Sequence, residues 1–211
     1  MDIAFVLYPE VTPLDLVGPL QVLTALSTFE PSYRTVVVSA EPGPVATDLP
    51  LTLVGSSTFS AVPDPYMVVV PGGLGTFKHL ADAALLSYVR SASRAVSVCT
   101  GSLILGAAGL LSGRRATSHW AVLDALGAYG AIPVAERWVS DGPVTTAAGV
   151  SAGIDVALHL AEELAGADVA RQVQLAIEYE PEPPLAWDGV DRAALEEPLR
   201  RALRSAAGLE F

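Results

Sequence analysis

Ile3-Ala4-Phe5-Val6-Leu7-Tyr8 is an almost unbroken apolar run. A strand with one face in water alternates polar and apolar residues, so a continuous run predicts a strand covered on both faces, as in a parallel sheet. Residues 35–38 (Thr-Val-Val-Val) and 67–70 (Met-Val-Val-Val) repeat the pattern. Between and after these strands the sequence predicts helices over residues 12–27, 81–91, 100–110, 119–129, 151–164 and 167–178, each long enough to cross over a sheet. The expected architecture is a doubly wound α/β sandwich with a mainly parallel sheet. Short β-rich pieces at 45–54 and 134–146 read as a hairpin, as edge strands or as both.

This α/β body is expected to span residues 1–184, because Pro181, Pro183 and Pro184 make an extended linker. The tail, 185–211, contains an expected helix at 191–207 whose Leu195, Leu199 and Leu203 recur at i+4. That stripe is suited equally to closing over its own domain and to packing on a neighbouring subunit. The tail offers no helix-turn-helix, which weighs against a transcription regulator.

Composition narrows the partners. Twelve Lys and Arg stand against 23 Asp and Glu, for a formal charge of −11, which gives no general attraction to nucleic acid or to an anionic membrane surface. Hydrophobic residues make up 51% and charged residues 17% of the chain, against about 25% charged in an average domain, so a substantial core is expected. The longest apolar stretch, 98–111, is broken by Thr100, Gly101, Ser102, Gly106 and Gly109, too early for a spanning helix. One cysteine cannot form an internal disulfide, and Met1-Asp2-Ile3 does not open a signal peptide, so a cytoplasmic protein acting on a small molecule is expected.

Ala95-Val96-Ser97-Val98-Cys99-Thr100-Gly101-Ser102 carries the strongest chemical signal: a short β run meets Cys99, and small residues open an apolar helix. The spacing is that of a nucleophile elbow, G-x-S-x-G, with Ser97 and Gly101 in the glycine places. A helix N-terminus favours a thiolate by about 0.3–2 kcal/mol, so strong activation needs a further hydrogen bond or charge. The plainer reading makes Cys99 a small buried hydrophobe. Thr12-Pro13-Leu14-Asp15 reads as N-cap to N3 of the first helix. There Asp15 either caps its own helix or meets Cys99 at the carboxyl edge of the sheet, where ligands of such folds bind. Pro71-Gly72-Gly73-Leu74-Gly75 ends on the same edge, as a plain turn or as a source of N–H groups for a developing anion. His119 could serve Cys99 as a base or could simply cap and pack, while His79 and His159 look peripheral and no metal site is expected.

Taken together, these segments resemble the DJ-1/PfpI superfamily, most closely its isonitrile (isocyanide) hydratase subgroup. The resemblance runs over about residues 3–184 and includes Leu14-Asp15-Leu16-Val17-Gly18-Pro19, Pro71-Gly72-Gly73, Val98-Cys99-Thr100-Gly101, the 115–120 segment ending Ser118-His119-Trp120, 149–155 and 174–179. It implies a flavodoxin-like fold like that of class I glutamine amidotransferases, a homodimer, no cofactor, Cys99 as nucleophile and Asp15 as its acidic partner. It further implies anion binding by Gly72, Gly73 and Thr100, with the Thr100 side chain beside the nucleophile, and leaves His119 and Gly18 as possible site residues. The implied activity is a lyase that adds water to an isonitrile. Redox sensing through Cys99, peptidase or glyoxalase chemistry, and a non-catalytic ligand-binding module are rival uses of the same elbow.

Overall fold

The computed structural model describes residues 1–185 and 191–207. In chain order they form β1 (Asp2–Val6), α1 (Pro13–Phe29), β2 (Arg34–Ser39), β3 (Pro44–Ala46), β4 (Thr52–Val54), β5 (Ser57–Thr58), β6 (Met67–Val70), α2 (Ala83–Ser91), β7 (Arg94–Val98) and α3 (Gly101–Ala107). There follow β8 (Arg115–Ala116), β9 (Ile132–Pro133), β10 (Trp138–Asp141), β11 (Val144–Ala147), α4 (Ala152–Ala165), α5 (Ala167–Ala176) and α6 (Arg192–Ala207). Two 3-10 segments, Leu74–His79 and Trp120–Tyr129, complete the frame of the site.

The main sheet has the order β10-β11-β7-β6-β1-β2-β5, and every neighbouring pair is parallel except β10 with β11. Its central strands are the apolar runs: Ile3 to Val6 of β1 and all four residues of β6 are fully buried. Helices cover both faces, with α1, α4 and α5 packed on one another and α2 against α3. The two open segments resolve differently: β3 and β4 make a separate antiparallel hairpin, whereas β10 and β11 close one edge of the main sheet. The register pairs Phe5 with Val69 and Val70 with Ser97, so the loops after β1, β6 and β7 leave the sheet at one edge.

Two helical expectations change most, one in length and one in type. Instead of running over 100–110, α3 stops at Ala107, and Gly109 turns the chain with φ +80°. The 119–129 segment is 3-10 rather than α-helical; Gly127 within it and Gly130 just after it, at φ +73°, are weak helix formers. The tail does form a helix, and α6 packs on its own chain against both 3-10 segments. Its expected stripe is only partly committed: Leu199 is half-buried and Leu195 is 54% exposed, while the Leu203 side chain and Trp187 lie outside what is described. No helix among the described residues is long and apolar enough to cross a membrane.

Candidate active site

Cys99 sits between β7 and α3 with φ +59°, a left-handed conformation that a non-glycine residue adopts at a cost of about 1–3 kcal/mol unless its surroundings fix it. Here they do. The Cys99 N–H donates to the carbonyls of Ala147 (3.1 Å) and Ala148 (2.9 Å), while its own carbonyl accepts from Ser118 Oγ (3.0 Å) and Ser102 Oγ (3.3 Å). Gly101 is required by the close approach of α3 to the end of β6: a Cβ there would stand 2.3 Å from the Val70 carbonyl oxygen and 2.7 Å from that of Pro71. The small-residue pattern around Cys99 therefore has a steric cause.

Asp15 is fully buried. Thr12 begins α1 without using its side chain as a cap; its hydroxyl bonds Asp48 instead. Nor does Asp15 cap the helix. Its Oδ2 accepts from the Gly72 N–H at 3.0 Å, and its Oδ1 is buried without a partner of ordinary geometry. The polar group beside that carboxyl is the Cys99 thiol. Burial pushes Asp15 up to about 7 and the charge of Asp48 adds to the rise, against the hydrogen bonds from Gly72 and Cys99.

The same burial acts on sulfur. Cys99 is 5% exposed, and desolvation pushes its thiol well up, with the Asp15 charge adding to the effect. The N–H groups of Thr100 and Val150 oppose this by bonding the sulfur. The activation expected from a helix N-terminus is thus outweighed, partly because α3 is only seven residues long. Thiol and carboxyl form one coupled unit, in which a charge on either raises the other.

Gly72 and Gly73 are beside this pair, but their N–H groups are already committed. Gly72 donates to Asp15, and Gly73 donates to Thr100 Oγ1 at 3.0 Å. Thr100 Oγ1 also meets Thr76 Oγ1 at 2.8 Å, which meets the Tyr8 hydroxyl at 3.0 Å, which donates to the Pro71 carbonyl at 2.7 Å. With the Tyr8 proton on Pro71, Thr76 donates to Tyr8, and the acceptors beside the Thr100 hydroxyl are Thr76 Oγ1 and, at 3.3 Å, the Gly73 carbonyl. The donors left for Cys99 and its adducts are the N–H groups of Thr100 and Val150. The absence of side chains at the glycines has a separate use: a Cβ on Gly72 would lie 2.6 Å from Thr100 N and 2.9 Å from Asp15 Oδ2.

His119 lines the same cavity as Cys99, but its Nδ1 is engaged with its own segment. That Nδ1 accepts from the Ala121 N–H at 3.3 Å, and burial pulls the pKa of the ring down. Gly18 lies elsewhere, in the contact between α1 and α4, where its Cβ would stand 3.2 Å from Ile154. His79 pairs with Asp82 and His159 with Glu163, and no group of three potential metal ligands occurs among the described residues. Of the tryptophans, Trp120 packs beside His119 and Trp138 lines a different cavity, next to α4 and α5.

Three residues of the site are not marked as site residues by the sequence, although Val150 falls in the 149–155 segment and Leu199 in the tail stripe. Asp48, from the β3–β4 hairpin, Val150, before α4, and Leu199, from the tail, all line the cavity of about 130 Å³ over Cys99. Each arrives from a distant segment, so only the folded topology brings it in.

Comparison with known proteins gives a consistent picture. The model of the DJ-1/PfpI family matches residues 1–163. An isonitrile hydratase of Pseudomonas putida is 44% identical over 97% of this chain and 91% of its own. An HTH-type transcriptional regulator of Pseudomonas aeruginosa, CdhR, is 31% identical over 82% of this chain and 53% of its own. Among solved structures, a ThiJ/PfpI family protein from Pseudomonas syringae is 36% identical and superposes with a TM-score of 0.87, covering 99% of this chain and 89% of that one.

Proposed function

This chain belongs to the DJ-1/PfpI family, and from that premise we propose that it is an isonitrile hydratase, adding water to an isonitrile to give an N-substituted formamide with no more than its own side chains. The observation that carries the reading is Asp15: a fully buried carboxyl beside Cys99, pushed up to about 7, is a proton donor at neutral pH. The 44% identity to an isonitrile hydratase over nearly the whole chain supports it.

The terminal carbon of an isonitrile takes a nucleophile and a proton together. Because Cys99 is pushed further up than Asp15, the pair that holds one proton keeps it on sulfur; the reactive form arises when that proton passes to the Asp15 carboxylate, leaving the negative charge on Cys99 Sγ under the N–H groups of Thr100 and Val150. Sulfur attacks the carbon as Asp15 protonates the same atom, which yields a thioimidate and an Asp15 carboxylate. That carboxylate takes a proton from water while the water oxygen adds to the thioimidate carbon, then passes the proton to nitrogen. As the C–S bond breaks, Asp15 receives the hydroxyl proton. Formamide leaves, and thiolate and acid are restored. Thr100 contributes its N–H, while its hydroxyl holds the Gly73 loop. The redox-sensing alternative asks for an accessible, acidic thiol, and the burial of Cys99 weighs against it. The acting form is proposed to be a cytoplasmic homodimer.

The test is incubation of the purified protein with simple alkyl and aryl isonitriles, with the formamide followed by NMR. Formation of the matching formamide at a rate proportional to enzyme supports the assignment, and its absence across the series rejects it.

Asp48 adds a finer expectation. Its charge helps to hold Asp15 up, and an asparagine there keeps an acceptor for the Thr12 hydroxyl. Asp48→Asn therefore lowers the pKa of Asp15, and the acidic limb of the kcat/KM profile, where the doubly protonated pair gives up its first proton, moves to lower pH. An unmoved limb would separate Asp48 from the acid.

A further inference from the structure

The cavity over Cys99 is closed on one side by a residue from outside the α/β body. Leu199 lines it, and with Leu74 and Val150 supplies aliphatic surface beside the polar Thr12 and Asp48. Helix α6, which carries Leu199, contacts both 3-10 segments, Leu74–His79 and Trp120–Tyr129. One of these follows Gly73 and the other follows His119, so a helix touching both crosses the mouth between them. Arg200, the next residue, pairs with Glu196 on its own helix and lies 3.9 Å from Asp124 on the second segment. That exposed contact orients the helix more than it stabilises it. The match to the Pseudomonas syringae structure covers 99% of the chain and so takes in this tail.

Size gives the wall a consequence. The cavity holds about 130 Å³, whereas an engineered apolar cavity that accommodates benzene measures about 150 Å³. Once the isonitrile carbon reaches the sulfur, the remaining space suits a compact aliphatic N-substituent, and a bulky aromatic one meets Leu199.

We propose that Leu199 is a specificity-determining residue, the removable wall of the Cys99 cavity that selects compact aliphatic isonitriles over large aromatic ones. This rests on the isonitrile hydratase reading for its substrate, but its steric content can be measured without turnover.

The experiment compares the full-length protein with Leu199→Ala and Leu199→Phe in two assays. In the first, kcat/KM is measured for isopropyl and 2-naphthyl isonitrile. Changing the volume of an apolar pocket by a few carbons shifts discrimination by roughly 10–200-fold, so Leu199→Ala is expected to raise the naphthyl-to-isopropyl ratio at least about tenfold, and Leu199→Phe to lower it. In the second, alkylation of Cys99, the only cysteine, is timed by mass spectrometry with iodoacetamide and with N-(1-pyrenyl)maleimide. Leu199→Ala is expected to accelerate the bulky reagent selectively, and Leu199→Phe to slow it selectively. If no isonitrile is turned over by the parent protein, the function fails and the alkylation ratio alone decides the wall. Ratios unchanged in both variants would overturn the proposal. So would equal acceleration of both reagents in Leu199→Ala, because α6 would then shield the site without selecting.

Discussion

Asp15→Asn is expected to reduce isonitrile turnover by about 10²–10⁴-fold, the usual contribution of a positioned proton donor, while making Cys99 a stronger acid than in the parent. The two effects run in opposite directions for one reason. The asparagine retains an acceptor for the Gly72 N–H, so the loop stays in place, but it has no proton to give to the isonitrile carbon and none to return to water. It also removes the charge that helps to push the thiol up, leaving the N–H groups of Thr100 and Val150 to act on sulfur unopposed by a neighbouring carboxylate. Cys99→Ala, by contrast, leaves no nucleophile and no measurable turnover. The checks are the steady-state rate and the pH dependence of thiolate absorbance, with the alanine variant as blank. A general disturbance of the site would slow the reaction without lowering the thiol titration. A fully active Asp15→Asn would remove Asp15 from the proton path and with it the proposed reaction.

Much of this geometry is legible in residue type and spacing. Unbroken apolar runs at residues 3–8 and 67–70 announce buried parallel strands, and the fully buried β1 and β6 follow from them. Gly101 reads as the small residue after an elbow because steric demand at a strand-to-helix turn is local; the 2.3 Å approach to Val70 is the physical content of that reading. Other features depend on burial and on distant segments. Proximity to a helix N-terminus suggests an acidified thiol, yet desolvation at 5% exposure wins. Glycines after β6 suggest free N–H groups, but whether a donor is free depends on what Asp15 and Thr100 place against it. Asp48 and Leu199 sit in unremarkable local sequence, and nothing in a hairpin tip or a tail helix says which cavity it will face. The tail stripe is ambiguous for a related cause: periodicity defines a face of a helix and not its partner.

The second large effect is on stability, and its sign reverses the usual expectation for an active-site substitution. The ordinary value of an Asp carboxyl is 3.8, and that of Asp15 is raised to about 7 in the folded protein. Below about pH 4 the carboxyl is protonated in both folded and unfolded chains, and its burial costs nothing electrostatic. Between about pH 4 and 7 the unfolded chain ionises while the folded one keeps its proton, so stability falls by about 1.4 kcal/mol per pH unit. Above about 7 both states are ionised and the loss levels off at about 4 kcal/mol. Asparagine does not ionise and escapes this loss. Asp15→Asn should therefore match the parent near pH 4 and exceed it by about 2–4 kcal/mol at pH 8, a gain of about 4–16 °C in Tm for a chain of this size. Urea unfolding of both proteins at the two pH values reads the difference directly. A variant no more stable than the parent at pH 8, or one whose advantage is the same at pH 4, would mean that the buried carboxyl is not strained by its charge. An increase confined to high pH, in a variant that has lost its turnover, would show that the fold sacrifices stability at neutral pH to keep a proton beside Cys99.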